Sequence, residues 1–125
     1  MITRDHYRVE LRDALRANQL AVGAKSRVLR ESDLLSALGR PYHGYHESIY
    51  EKAAALVHAI IFNHAFFDGN KRTALYLVEL LLKKSGYKLL GSDAEIYQNF
   101  CFVAAGKLSY EGLKEWLESI IVPLD

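Results

Sequence analysis

Between positions 64 and 73 the chain reads HAFFDGNKRT, with an imidazole, a carboxylate, a glycine, a side-chain amide and two cations in one short run. Asp68 and Gly69 form a turn pair, so Asn70, Lys71 and Arg72 open whatever helix follows. Two cations there oppose the positive end of the helix dipole. A local rule broken in this way marks a candidate functional site. Unpaired backbone N–H groups, a glycine and two cations suit a phosphate or polyphosphate. Asp68, just outside that cradle, suits a divalent cation, most simply Mg²⁺ held by one carboxylate and the phosphates. His64 follows Ile60 by four positions at the end of the preceding helix and can face the same cavity. Its neutral imidazole suits a general base on a hydroxyl. These parts are the ones phosphoryl or nucleotidyl transfer requires.

Taken singly, each feature has an ordinary structural explanation: a polar helix end, a turn, a solvated charge pair. Their tight spacing carries the functional reading. His43 and His46 have an i, i+3 spacing, and a metal-dependent hydrolase using them with His64 is a weaker alternative, since no second spaced pair or cysteine partner accompanies them. The stretch 39–47, GRPYHGYHE, reads either as a plain surface loop or as a target-docking flap.

The elements that must position these groups are almost all helical. A first helix is expected from a cap at Thr3 to Gly23, with Tyr7, Leu11, Ala14 and Leu15 on one face. A short one follows, capped by Ser32 or Asp33, with Leu34, Leu35 and Leu38 inward and an end at Gly39 and Pro41. Ser48 and Glu51 make a capping box, after which Ile49, Ala53, Leu56, Val57 and Ile60 form a helical stripe. The central helix runs from Asn70 to Gly86 with Lys83 and Lys84 in its last turn. Ser92 and Glu95 repeat the capping box ahead of Ile96, Phe100 and Val103. A last helix from Ser109 carries Leu113, Trp116, Leu117, Ile120 and Ile121. No strand is expected, and YKLLG at 87–91 reads as a short extended connector. The fold class is all-α, a compact single-domain bundle of about six helices over 1–125. Cys101 and Trp116 read as core packing, and Glu79 as paired or at a helix edge.

The chain has 125 residues, enough for one proper core. Its net charge of +1 gives no basic surface for nucleic acid, so none is expected as a direct partner. A single cysteine suits a reducing cytoplasm. The first residues lack an export segment, and no apolar run approaches the ~20 residues of a membrane span.

HAFFDGNKRTA resembles the signature of the Fic/Doc superfamily, H-x-F-x-x-x-N-[GK]-R. It matches the death-on-curing (Doc) branch at His64, Phe66, Asp68, Gly69, Asn70, Lys71, Arg72 and Thr73. Ala65 departs from the proline common in Fic proteins. LLSALGRP, YEKAAALVHAIIFNH and ALYLVELLLKKSGYKL are similar to the corresponding Doc segments, so the resemblance covers nearly the whole chain. It implies a Fic/Doc-like fold. Lys71 stands where adenylyl-transferring members usually have glycine. In Doc-like proteins, the resemblance implies, ATP then binds reversed and its γ-phosphate faces the histidine.

The implied activity is that of a toxin kinase, arresting translation by phosphorylating a Ser/Thr hydroxyl of an elongation factor Tu-like protein. His64 would be the base and Asp68 the Mg²⁺ ligand. Gly69, Asn70, Lys71 and Arg72 would bind the nucleotide's phosphates, and Phe66 would be structural. Many Fic proteins carry an inhibitory [ST]-x-x-x-E-[GN] segment. No Ser or Thr here has that pattern, so inhibition is expected in trans from a Phd-like cognate antitoxin. An adenylyl transferase of the same fold, or an inert binding module, are the alternatives.

Overall fold

Ser48 and Ser92 begin their helices as expected. Each hydroxyl accepts from the backbone N–H three residues on, and Glu51 and Glu95 reach back to complete the boxes. A computed structural model describes residues 6–43 and 46–124. It contains α1 (Leu11–Val22), α2 (Glu31–Gly39), α3 (Ile49–Asn63), α4 (Asn70–Ser85), α5 (Asp93–Ala104) and α6 (Tyr110–Ile120), with 3₁₀ turns at Gly23–Lys25 and Arg40–Tyr42. The six-helix, mostly helical expectation holds.

The α3–α4 pair forms the centre. Leu56, Val57 and Ile60 of α3 and Leu77, Val78 and Leu81 of α4 are all buried in one continuous core. α1 and α5 pack on α4, while α2 and α6 pack on α3. Phe100, fully buried, packs edge-to-face with Trp116 at 6.3 Å between ring centres. Trp116 itself is partly buried, as is Cys101, so neither is a full core residue.

Several expectations need correction. Thr3 lies outside the described residues, and α1 starts only at Leu11. The Glu10 and Asp13 side chains there satisfy each other's backbone N–H groups, an acid–acid box that no Ser/Thr pattern announces. Tyr7 therefore precedes the helix, although it still packs on the core. α2 is flanked by Arg30 rather than capped by Ser32 or Asp33, because the Arg30 N–H is held by the Ala65 carbonyl at 3.2 Å, a tertiary constraint. Leu35 faces out, 48% exposed. Two short strands exist: β1 (Tyr87–Leu89) pairs antiparallel with β2 (Ile121–Pro123). Ile121 thus leaves the helical stripe to which its spacing assigned it.

The far end of α4 gathers both ends of the described chain. The Tyr7 N–H donates to Ser85 Oγ at 2.9 Å and the Leu124 N–H to the Gly86 carbonyl at 2.9 Å. No helix among the described residues is long and apolar enough to cross a membrane.

Candidate active site

Residues 64–69 link α3 to α4, and the segment before α2, α1 and Asn70 at the head of α4 fix their course. From the segment before α2, the Leu29 N–H donates to the Ala65 carbonyl at 2.7 Å, while the Phe67 N–H donates to the Arg27 carbonyl at 2.8 Å. Val28 and Phe66 form an isolated antiparallel bridge, and Phe66 is fully buried. Phe67 turns outward beneath the Arg27 guanidinium, 4.9 Å from its ring centre. From α1, Asn18 Nδ2 donates to the Asp68 carbonyl at 2.9 Å and to Thr73 Oγ1 at 3.0 Å. Asn18 is fully buried and its Oδ1 has no partner, a real cost for holding the loop. Within the loop, Asn70 Oδ1 accepts from the Phe66 N–H at 3.1 Å and Asn70 Nδ2 donates to the Phe66 carbonyl at 3.0 Å.

Gly69 is needed twice over. Its φ of 76° lies in the left-handed region, and a Cβ there would meet Val22 Cγ1 at 2.6 Å. His64 is the one described non-glycine residue with positive φ, at φ 51° and ψ 45°. That conformation costs on the order of 1–3 kcal/mol for a side-chain-bearing residue, and such strain concentrates at functional sites. Arg30 Nη1 donates to its carbonyl at 3.0 Å. His64 Nδ1 lies 3.3 Å from the Ile61 carbonyl. A carbonyl only accepts, so the neutral ring carries its proton on Nδ1 and presents a lone pair at Nε2.

α4 begins bare. Gly69 supplies no side-chain cap, and the Thr73 N–H is the first to find a carbonyl one turn back, that of Gly69 at 2.8 Å. The N–H groups of Asn70, Lys71 and Arg72 therefore have no preceding turn to bond. His64, Phe67, Asp68, Gly69, Asn70 and Lys71 line a pocket of about 160 Å³ at this end, completed by Ile61 of α3 and by Tyr97 and Ala104 of α5. Hollows of about 290 and 320 Å³ elsewhere share Glu79 and contain none of the signature residues, so chemistry rather than volume selects the smaller one.

Five of the six expected site residues thus meet in one pocket. Arg72 stands outside its lining, with its guanidinium carbon 4.9 Å from the Tyr97 ring centre. Asp68 is exposed, and its Oδ1 accepts from the Gly69 N–H at 2.8 Å. That bond fixes the carboxylate, while Oδ2 has no hydrogen-bond partner among the described residues. A hard cation needing one carboxylate oxygen plus phosphate oxygens fits such a donor set. Asn70's amide braces the loop, which leaves its backbone N–H, not its side chain, outside these bonds at the start of α4.

His43 and His46 do not join His64 in a metal centre. Among the described residues no group of three His, Cys, Asp or Glu could hold a metal. Of the 39–47 stretch, residues 44 and 45 lie outside the described residues. Tyr42 is committed to the fold, accepting from the Val9 N–H at 2.7 Å and donating to the Tyr7 carbonyl at 2.8 Å. Sequence reasoning missed Asn18, Arg27, Arg30 and Tyr97 as neighbours of the signature.

The uncapped start of α4, the strained His64 and the hydrogen-bonded Asp68 carboxylate thus border one pocket. The chain belongs to the Fic/DOC family, whose model matches residues 2–82. It is 35% identical over 82 residues to Toxin Doc of Mycolicibacterium smegmatis, a match covering 62% of this chain and 63% of that protein. α5, which supplies Tyr97 and Ala104, lies beyond the stretch matched by the family model.

Proposed function

We propose that this protein is a toxin of the Doc kind that transfers the γ-phosphate of ATP to a Ser/Thr hydroxyl. The observation that carries the reading is the convergence of His64, Asp68 and Lys71 on one pocket at the uncapped start of α4. The pocket is smaller than the ~300–1,000 Å³ that encloses a whole drug-sized ligand. It suits the charged tail of a nucleotide, with the base outside. The phosphates lie against the N–H groups of residues 70–72, neutralised by Lys71 and the helix end. The Doc-type lysine at position 71, where adenylyl-transferring members usually have glycine, supports a reversed ATP whose terminal phosphate faces His64. Its Nε2 accepts the proton of the attacking hydroxyl. Asp68 would hold Mg²⁺, which supplies charge neutralisation between the phosphate oxygens.

Likeness to Toxin Doc and the Doc-type signature support the rest of the reading. The acceptor is a translation factor of the elongation factor Tu kind, modification arrests translation in the cytoplasm, and a Phd-like antitoxin restrains the enzyme in trans. ATP labelled separately at the γ- and α-positions, incubated with the protein in cell lysate, tests the chemistry. Label from the γ-position on one acceptor, lost with His64→Ala, is the expected result. Transfer of α-label instead makes the protein an adenylyl transferase, and toxicity undiminished by His64→Ala removes catalysis from the account.

A further inference from the structure

We infer that Tyr97, on α5, is a positioning residue that presents Arg72 to the phosphates; this rests on the nucleotide reading above. Arg72 is exposed at the first turn of α4, where the helix dipole repels it, and no ion pair holds it among the described residues. Left to itself, a long cation in that position would extend into water. The Tyr97 ring gives it a place, because the guanidinium carbon lies over the ring at 4.9 Å from the centre, within the ~6 Å range of a cation–π contact.

The kind of contact matters. A carboxylate partner would occupy the guanidinium N–H donors and cancel the charge. A ring face holds the flat group from one side, leaves its N–H edge available, and preserves the charge. Tyr97 is itself part of the pocket wall with Lys71 and Asp68. The held cation therefore stands at the pocket rim, where a phosphate oxygen inside can be met by a small side-chain rotation. Arg72 belongs to the signature loop and Tyr97 to a helix 25 positions further on, so the pair also couples α5 to the site.

The ring, not the hydroxyl, is the active part. Binding of Mg·ATP and of inorganic tripolyphosphate by calorimetry, across Tyr97→Leu, Tyr97→Phe, Arg72→Ala and the Tyr97→Leu/Arg72→Ala double variant, tests this. Tyr97→Leu weakens both ligands about three- to tenfold, Tyr97→Phe restores the parent affinity, and in the Arg72→Ala background Tyr97→Leu changes nothing more. Ring-current shifts on the Arg72 δ-protons, present in the parent and in Tyr97→Phe, vanish in Tyr97→Leu even without ligand. Unchanged affinity in Tyr97→Leu, or an equal loss with Arg72 already absent, overturns the inference while leaving the nucleotide reading intact. A parent protein that binds neither ligand overturns the nucleotide reading and this inference with it.

Discussion

The Arg30 guanidinium donates through Nη1 to the main-chain carbonyl of His64 at 3.0 Å, across 34 positions of sequence. The contact reaches the backbone of the strained residue and leaves the imidazole untouched. It therefore fixes where the ring starts from. If the phosphotransfer proposed above is the activity, Arg30→Ala should lower its turnover by about ten- to a hundredfold, since small misplacements of a reacting group are costly. ATP affinity should hold, and stability should move by less than about 1 kcal/mol because the bond is solvent-exposed. Steady-state kinetics beside urea unfolding separates the two effects. A turnover equal to the parent's would mean that the left-handed conformation of His64 stands without this support.

Gly69 offers a sharper test of the loop. An alanine there must adopt φ near 76° and place its Cβ 2.6 Å from Val22 Cγ1. Gly69→Ala should destabilise the fold by roughly 1–3 kcal/mol and abolish phosphate binding, because relieving the clash moves the start of α4 away from α1. Thermal unfolding and tripolyphosphate titration measure both. A stable variant with full anion binding contradicts the packing described.

Asn18 carries the other side of that junction. Asn18→Ala removes the donor to the Asp68 carbonyl and to Thr73 and should cost about 1–3 kcal/mol in urea unfolding. Asn18→Asp should be worse still, since it sets a charge at a fully buried position. If the aspartate variant unfolds at the parent's urea concentration, that site is wetter than the packing indicates.

Glu79 predicts a pH dependence. Burial, then the charge of Asp93 and a hydrogen bond to it, push the Glu79 carboxyl up from 4.5 to about 7. The folded state therefore holds a proton that the unfolded state has already lost. Stability from this group is complete below about pH 4.5 and is lost as pH rises towards 7. Glu79→Gln should flatten that part of the profile and leave the variant more stable than the parent at pH 8. Glu79 is half-exposed, so solvent screening reduces the gain. Urea midpoints at several pH values, compared between the two proteins, report it. Parallel profiles would mean that Glu79 ionises freely.

The readable parts of this molecule were those encoded over a few positions. Ser48 with Glu51, Ser92 with Glu95, and the stripe through Leu56 and Ile60 each fall within one or two helical turns, so spacing alone reveals them. The signature at 64–73 is equally local, and the structure brings five of its six expected site residues to one pocket. What spacing could not show is what meets the signature from elsewhere. Asn18 is 50 positions from Asp68, and nothing in either neighbourhood anticipates the pairing. Arg27, Arg30 and Tyr97 likewise lie far from the signature in sequence, and no local spacing ties them to it. The strands escaped notice because three residues cannot display an alternating pattern, and Ile121 continued the periodicity of α6 up to the point where pairing with β1 captured it.

Residues 7 and 124 are both fastened beside Ser85 and Gly86, whereas the pocket opens at Asn70. The 16 residues of α4 between them span about 24 Å. A carrier domain, dye or surface tether joined to either end of the described chain would thus leave from the pole opposite the pocket. Immobilised that way, the protein would keep the mouth of this pocket turned towards solution.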